Sequence, residues 1–119
     1  MNNTATEKIS IKVLWAAIED YAGLWEAVWE FGNEIPPVSF NEIQTTVLSL
    51  FSNGYIELFR CKEPYGELVR ITDGCIDILS DKTNWNPPEL FAFSIRISAT
   101  ESGKSHYETL CKKEGTYYE

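Results

Sequence analysis

The spacing of the apolar residues along this 119-residue chain changes at Asn53-Gly54. Before that point they recur every three or four residues, which is typical of helices. Beyond it they cluster with β-favouring residues or alternate with polar ones, as in strands. The change predicts the α+β class, with a helical part over about 4–53, a β-rich part over about 55–111 and a polar tail at 112–119. No linker separates the parts, so we expect one domain over 1–119.

Two capping boxes mark helix starts, Thr4-Ala5-Thr6-Glu7 and Ser39-Phe40-Asn41-Glu42. The apolar stripe after the first either continues through Gly23 or is broken there into helices of about 5–22 and 24–32. Pro36-Pro37 prevents further continuation. The second box predicts a helix over 39–53, ended by Asn53-Gly54.

The remaining chain predicts two hairpins and a short helix. Tyr55 to Cys61 and Leu68 to Ile71 read as paired strands around a turn. Thr72 can cap a short helix. Phe91 to Ser98 alternates apolar and polar residues, which predicts a strand with one buried face. We expect Lys104 to Leu110 to pair back with it as the last strand.

No Lys, Arg or His lies between Val13 and Phe59, although seven carboxylates do. The net charge of −8 is unfavourable for binding nucleic acid or an anionic membrane. No apolar run is long enough to cross a bilayer, and the N-terminus lacks the pattern of a signal peptide. Three widely spaced cysteines fit reduced thiols. We therefore expect a cytoplasmic protein.

Helix 39–53 takes the place of a DNA-recognition helix in a helix-turn-helix. Asn and Gln can read adenine, but this helix has no cation for phosphate or guanine, and Glu42 is its only charge. A structural helix with a polar solvent face is favoured over DNA readout. Its predicted outward residues are Asn41, Gln44, Thr45, Ser49 and Ser52.

An acidic stripe is the first candidate partner-binding feature. On a continuous helix Glu19, Glu26 and Glu30 share one face, which Asp20 and Glu34 extend. The stripe is either an interface for a basic protein or an ordinary solvated face.

Tryptophan is the second candidate feature, since it is enriched at binding hot spots. Trp15, Trp25 and Trp29 fit the apolar stripe and are expected in the core, with Trp25 also a candidate anchor. The loop residue Trp85 can either fill the core or contact a partner.

Catalytic and metal-binding patterns are weak. His106 is the only histidine, Cys61 is expected to be a structural thiol, and no spacing matches a metal site or a phosphate-binding loop. We expect no cofactor, no metal and no enzymatic activity. A small enzyme would require a polar pocket containing His106 or several acids.

Two short segments carry a resemblance to winged-helix domains: Asn53-Gly54-Tyr55-Ile56, and Thr72-Asp73-Gly74 followed by Ile78-Leu79. The order helix, helix, helix, hairpin is also that of a winged helix. In size, acidity, aromatic content and lack of catalytic motifs the chain resembles the small immunity proteins of bacterial contact-dependent growth-inhibition systems. That resemblance implies a basic toxin domain, frequently a nuclease, as the partner. The alternative function is a winged-helix transcription regulator or regulatory module.

Overall fold

The computed structural model describes residues 5–32, 38–63, 66–89 and 92–114, which form five α-helices and a four-stranded antiparallel sheet. The α+β class is confirmed, with helices first, then strands, then a helix. The elements are α1 (Ala5–Glu19), β1 (Ala22–Gly23), α2 (Leu24–Gly32), α3 (Phe40–Ser52), β2 (Ile56–Lys62), β3 (Leu68–Ile71), α4 (Cys75–Ser80), a 3₁₀ turn (Lys82–Trp85), β4 (Phe93–Ala99) and α5 (Glu101–Glu114).

The helix cap predicted at Ser39 forms. The Ser39 hydroxyl accepts a hydrogen bond from the Glu42 amide at 3.2 Å, and α3 follows. The helix ends at Asn53, and Gly54 takes a φ of 76°, a left-handed conformation that favours glycine. The first box includes Thr4, which lies outside the described residues.

Gly23 interrupts the first helical region. Ala22 and Gly23 form β1 opposite Ile97 and Arg96 of β4, and a new helix begins at Leu24. The Gly23 amide donates to Glu26 Oε1 at 3.3 Å, which satisfies a donor at the start of α2. The continuous helix from Glu19 to Glu30 is therefore wrong, because the backbone between them pairs with the sheet.

The strand order in the sheet is β1-β4-β2-β3. The predicted first hairpin is confirmed, with Leu58 of β2 opposite Ile71 of β3. Leu58 also lies opposite Ile97 of β4. The late strand β4 thus lies centrally, between β2 and the short β1, and joins the two halves of the chain.

The predicted final strand over Lys104 to Leu110 is wrong, because these residues belong to α5. Tyr107, Leu110 and Cys111 fall at helical spacing and all three are buried. Thr100 Oγ1 accepts the Gly103 amide at 3.0 Å and so caps the helix start. Residues 112–114 of the predicted tail are also helical, whereas 115–119 lie outside the described residues.

The core lies between one face of the sheet and the helices. Leu58 and Ile97 point from the sheet toward Leu14 of α1, Val47 of α3 and Cys111 of α5, and all five are buried. This packing holds the α1–β1–α2 connection against the edge of the sheet. Within the described residues, no helix is both long and apolar enough to cross a membrane.

Candidate partner-binding surface

Four of the predicted acidic residues lie along the chain on either side of β1. Glu19 ends α1, Asp20 follows it, and Glu26 and Glu30 lie one helical turn apart on α2. Glu34 lies outside the described residues. We define the acidic surface as these four residues with Tyr21 and Trp29.

The four carboxylates do not have the same surroundings. Glu26 accepts a hydrogen bond from the Gly23 amide and lies 3.7 Å from Arg96 Nη1. Its carboxylate is therefore engaged in contacts within the chain. Glu19, Asp20 and Glu30 are exposed, and none forms an ion pair in the part of the chain that the structure describes. These three are therefore the charges open to a partner.

The position of Glu19 and Asp20 is electrostatically unfavourable. They lie at the C-terminal end of α1, where the helix dipole is negative, and no basic residue lies in its last turn. Each such charge costs about 0.3–1 kcal/mol at low ionic strength. A cation supplied by another molecule would relieve this repulsion.

Arg96 holds the connection to the sheet. Its Nη1 donates to the Tyr21 carbonyl at 2.8 Å, while Nε and Nη2 donate to Glu63. Ser94 Oγ donates to the same Glu63 oxygen at 2.7 Å. Burial alone would raise the pKa of Glu63, but the hydrogen bonds from Ser94 and Arg96 and the Arg96 charge together lower it. Sequence reasoning missed this network, since no local pattern links residues 33 positions apart.

Trp29 is the exposed tryptophan of the acidic surface. Its side chain is 71% exposed, next to Glu30 and three residues after Glu26. The prediction that Trp29 lies in the core is wrong. Because α2 starts anew at Leu24, it turns Leu24 and Phe31 inward instead, and both are buried.

Trp85, in contrast, is buried. Its side chain is 3% exposed, and its Nε1 donates a hydrogen bond to the Leu79 carbonyl at 3.0 Å. Its ring packs edge-on against Phe40, with the ring centroids 5.4 Å apart. The sequence leaves open whether Trp85 fills the core or contacts a partner, and the structure places it in the core.

Trp25 and Trp15 are both half-buried. Trp25 packs over Gly23, and its buried Nε1 has no hydrogen-bond partner among the residues that the structure describes. Trp15 stacks on Tyr107 with the ring centroids 5.9 Å apart. Each ring therefore packs against other residues of this chain.

Helix α3 offers little for reading DNA. Asn41, Thr45, Ser49 and Ser52 are exposed, as predicted. Gln44, however, donates through Nε2 to the Leu79 carbonyl of α4 at 2.8 Å. The one glutamine suited to adenine is thus engaged in packing.

The remaining reactive side chains are part of the packing. His106 stacks on Tyr55 at 4.2 Å, and burial lowers the pKa of His106 against the opposing effect of Glu7. Cys61, Cys75 and Cys111 are buried free thiols. Burial, then the nearby Asp73 charge, raises the pKa of Cys75, which disfavours the thiolate. Among the described residues no three His, Cys, Asp or Glu side chains are grouped to hold a metal ion.

Comparison with known proteins gave no match: no family model, no curated protein and no solved structure is significantly similar to this chain.

Proposed function

We propose that this chain is a cytosolic immunity protein that neutralises a basic toxin domain, most simply a nuclease, by binding it through the acidic surface. The observation that carries the proposal is Trp29, which is 71% exposed beside Glu30, an exposed carboxylate that forms no ion pair with a described cation. Exposed tryptophan is costly to keep in water and is enriched at the centres of interfaces.

The charge complementarity follows from what a nuclease must do. Its cleft attracts a polyanion, so the cleft is electropositive, and an acidic inhibitor is steered into it. Glu19, Asp20 and Glu30 supply long-range attraction, and Trp29 supplies apolar contact area. Trp29 takes the anchoring role considered for Trp25 and Trp85, because Trp85 is buried and Trp25 is half-buried over Gly23.

Transcription regulation, the alternative function, draws less support from the same observations. DNA affinity depends mainly on cations at phosphates. Helix α3 contains no Lys or Arg, and its Gln44 is bonded to α4. The order of elements agrees with a winged helix, but the chemistry of the helix that would enter the groove does not.

The test is binding to the toxin domain encoded in the adjacent reading frame, measured by calorimetry on purified proteins. We expect tight wild-type binding, weakened about 100-fold by Trp29→Ala and by the double change Glu19→Lys and Glu30→Lys. Glu67→Lys with Asp73→Lys makes the same charge change beside β3, at the opposite edge of the sheet. This control should stay within about threefold of wild type.

Two results would overturn the proposal. One is toxin affinity that is the same for the surface variants as for the control. The other is absence of toxin binding together with salt-dependent binding to a DNA duplex, which would favour the regulator instead.

A further inference from the structure

The sheet extends past the helices that cover it. Arg60 of β2 lies directly opposite Ile95 on one side and Val69 on the other. Lys62, two residues on, lies opposite Phe93. Directly opposed residues of antiparallel strands share a face, as do residues two apart. These side chains therefore continue the face on which Ile95 is buried.

This end of the sheet combines apolar and cationic side chains. Phe93 is 63% exposed and Val69 58% exposed, although both lie on the face that packs the core. Arg60 and Lys62 are exposed between them and form no ion pair with a described carboxylate. We call Arg60, Lys62, Val69 and Phe93 the basic sheet surface.

The basic sheet surface and the acidic surface are complementary in charge and in apolar content. One carries two open cations beside Phe93 and Val69. The other carries open carboxylates beside Trp29. We infer that the basic sheet surface binds the acidic surface of a second copy of this chain, head to tail.

In this contact Trp29 of one copy packs on Phe93 and Val69 of the next, while Glu30 and Glu19 face Arg60 and Lys62. Apolar burial supplies affinity, and the charges set orientation. The contact is heterologous, because each copy uses a different surface on its two sides. A variant that lacks the basic sheet surface should therefore pair with a variant that lacks the acidic surface.

Self-association occupies the surface assigned to the toxin, so a copy and the toxin compete for it. This consequence rests on the proposed function, whereas the self-association does not. The variant Arg60→Glu with Lys62→Glu keeps the acidic surface. It should lose self-association and retain toxin affinity, so failure of one proposal is distinguishable from failure of the other.

The experiment is sedimentation equilibrium of the purified chain from micromolar to millimolar concentration. We expect the average mass to rise above the 13.6 kDa of one chain, and the rise to be suppressed by high salt. Arg60→Glu with Lys62→Glu, and separately Trp29→Ala with Glu30→Lys, should each stay at the single-chain mass. An equimolar mixture of the two should form a dimer, because each retains the surface that the other lacks.

A wild-type mass that stays at one chain up to millimolar concentration would overturn the inference. Self-association that persists in either blocked variant would do so too, as would a mixture that fails to pair. Circular dichroism and thermal unfolding check that each variant folds. The apolar pair Val69→Ser with Phe93→Ser provides a second block without a charge change, and it should also abolish self-association.

Discussion

Two tryptophans show how residues of one type separate into core and surface. Trp85 satisfies its indole N–H with the Leu79 carbonyl and fills a site against Phe40. Trp29 lies on the solvent side of α2. Apolar spacing predicts burial for Trp29, whereas the loop position of Trp85 leaves both core and surface open. Only the orientation of each element decides which ring is buried.

The first prediction compares these two positions. Trp85→Ala should lower the free energy of unfolding by about 3–5 kcal/mol, because it removes a large buried ring and leaves a cavity. Trp29→Ala should change it by less than about 0.5 kcal/mol, because its ring is mostly in water. Urea unfolding followed by circular dichroism measures both. Similar losses for the two variants would contradict the assignment of Trp85 to the core and Trp29 to the surface.

The second prediction concerns His106, because burial lowers its pKa below the ordinary histidine value of about 6.5. A lowered pKa in the folded state means that the unfolded chain binds the proton more readily. The contribution of His106 to the free energy of unfolding should therefore be fully present above about pH 6.5. It should be lost as pH falls through the folded-state pKa. Glu7 opposes the shift but does not reverse it.

His106→Phe tests this prediction, because phenylalanine keeps a ring against Tyr55 and cannot titrate. The stability difference between variant and wild type should change in favour of the variant on going from about pH 7.5 to about pH 5.5. Carboxylates common to both proteins cancel in the difference. A pH-independent difference would contradict the lowered pKa.

At the scale of elements, α5 depends on one close approach. An ideal Cβ on Gly103 would overlap the Tyr55 carbonyl oxygen and lie 2.9 Å from its carbonyl carbon. Thr100 bridges the same place, because its Oγ1 accepts the Gly103 amide and donates to the Gly54 carbonyl at 2.7 Å. The start of α5 thus packs directly on the backbone before β2.

The third prediction is that Gly103→Ala destabilises the protein. Alanine gains up to about 1 kcal/mol in a helix. The overlap with Tyr55 costs about 1–3 kcal/mol or more, since backbone cannot rotate away. Ser105→Ala, exposed on the same helix, is the control and should stay within about 0.5 kcal/mol. Chemical unfolding compares them, and a stabilised Gly103→Ala variant would refute the close approach.

The fourth prediction compares two Arg–Glu pairs of the sheet. Arg96–Glu63 is largely covered, with 21% and 13% of the two side chains exposed, whereas Arg70 of the Arg70–Glu57 pair is 61% exposed. Arg96→Met leaves a covered carboxylate without its main partner and should cost about 1–3 kcal/mol. Arg70→Met should cost less than about 1 kcal/mol. Equal losses in chemical unfolding would mean that Arg96 does not hold the connection.

At the scale of the whole molecule, charge is segregated. The segment from Val13 to Phe59 has no cation, and Arg60, Lys62 and Arg70 follow on the hairpin. Folding returns Arg96 to the acidic segment, where it lies against Glu26. Arg70 likewise pairs with Glu57, so the fold neutralises two carboxylates of the segment and leaves Glu19, Asp20 and Glu30 exposed.

The fifth prediction follows from that segregation. Raising ionic strength from about 0.01 M to about 0.15 M shortens the screening length from about 30 Å to about 8 Å. The rate of association with the proposed toxin partner should fall about tenfold or more, with little change in the rate of dissociation. Trp29→Ala should instead speed dissociation and leave the salt dependence unchanged. Surface plasmon resonance separates the two rates, and a salt-independent association rate would refute electrostatic steering.

Local patterns were sufficient for most elements of this chain. Four predicted features depend on neighbours in sequence and are present: the cap at Ser39, the end of α3 at Asn53, the hairpin strands β2 and β3, and the strand β4. The predicted burial of one face of β4 is only partly correct, because Phe93 is 63% exposed and Ser94 is buried. Lys104 to Leu110 was wrongly predicted as a strand because the helical spacing of Tyr107, Leu110 and Cys111 covers little more than one turn. The structure shows that this face packs on α1, where Tyr107 stacks on Trp15.

The sequence by itself determined the α+β class, the cation-free acidic segment and the polar face of α3. Only the tertiary structure decided which acids and tryptophans are exposed. Gly23 pairs with Arg96 in the sheet, which splits the first helical region. Helix α2 then begins at Leu24, and its faces no longer align with those of α1. Which residues face solvent depends on that alignment, and the contact that sets it joins residues 73 positions apart.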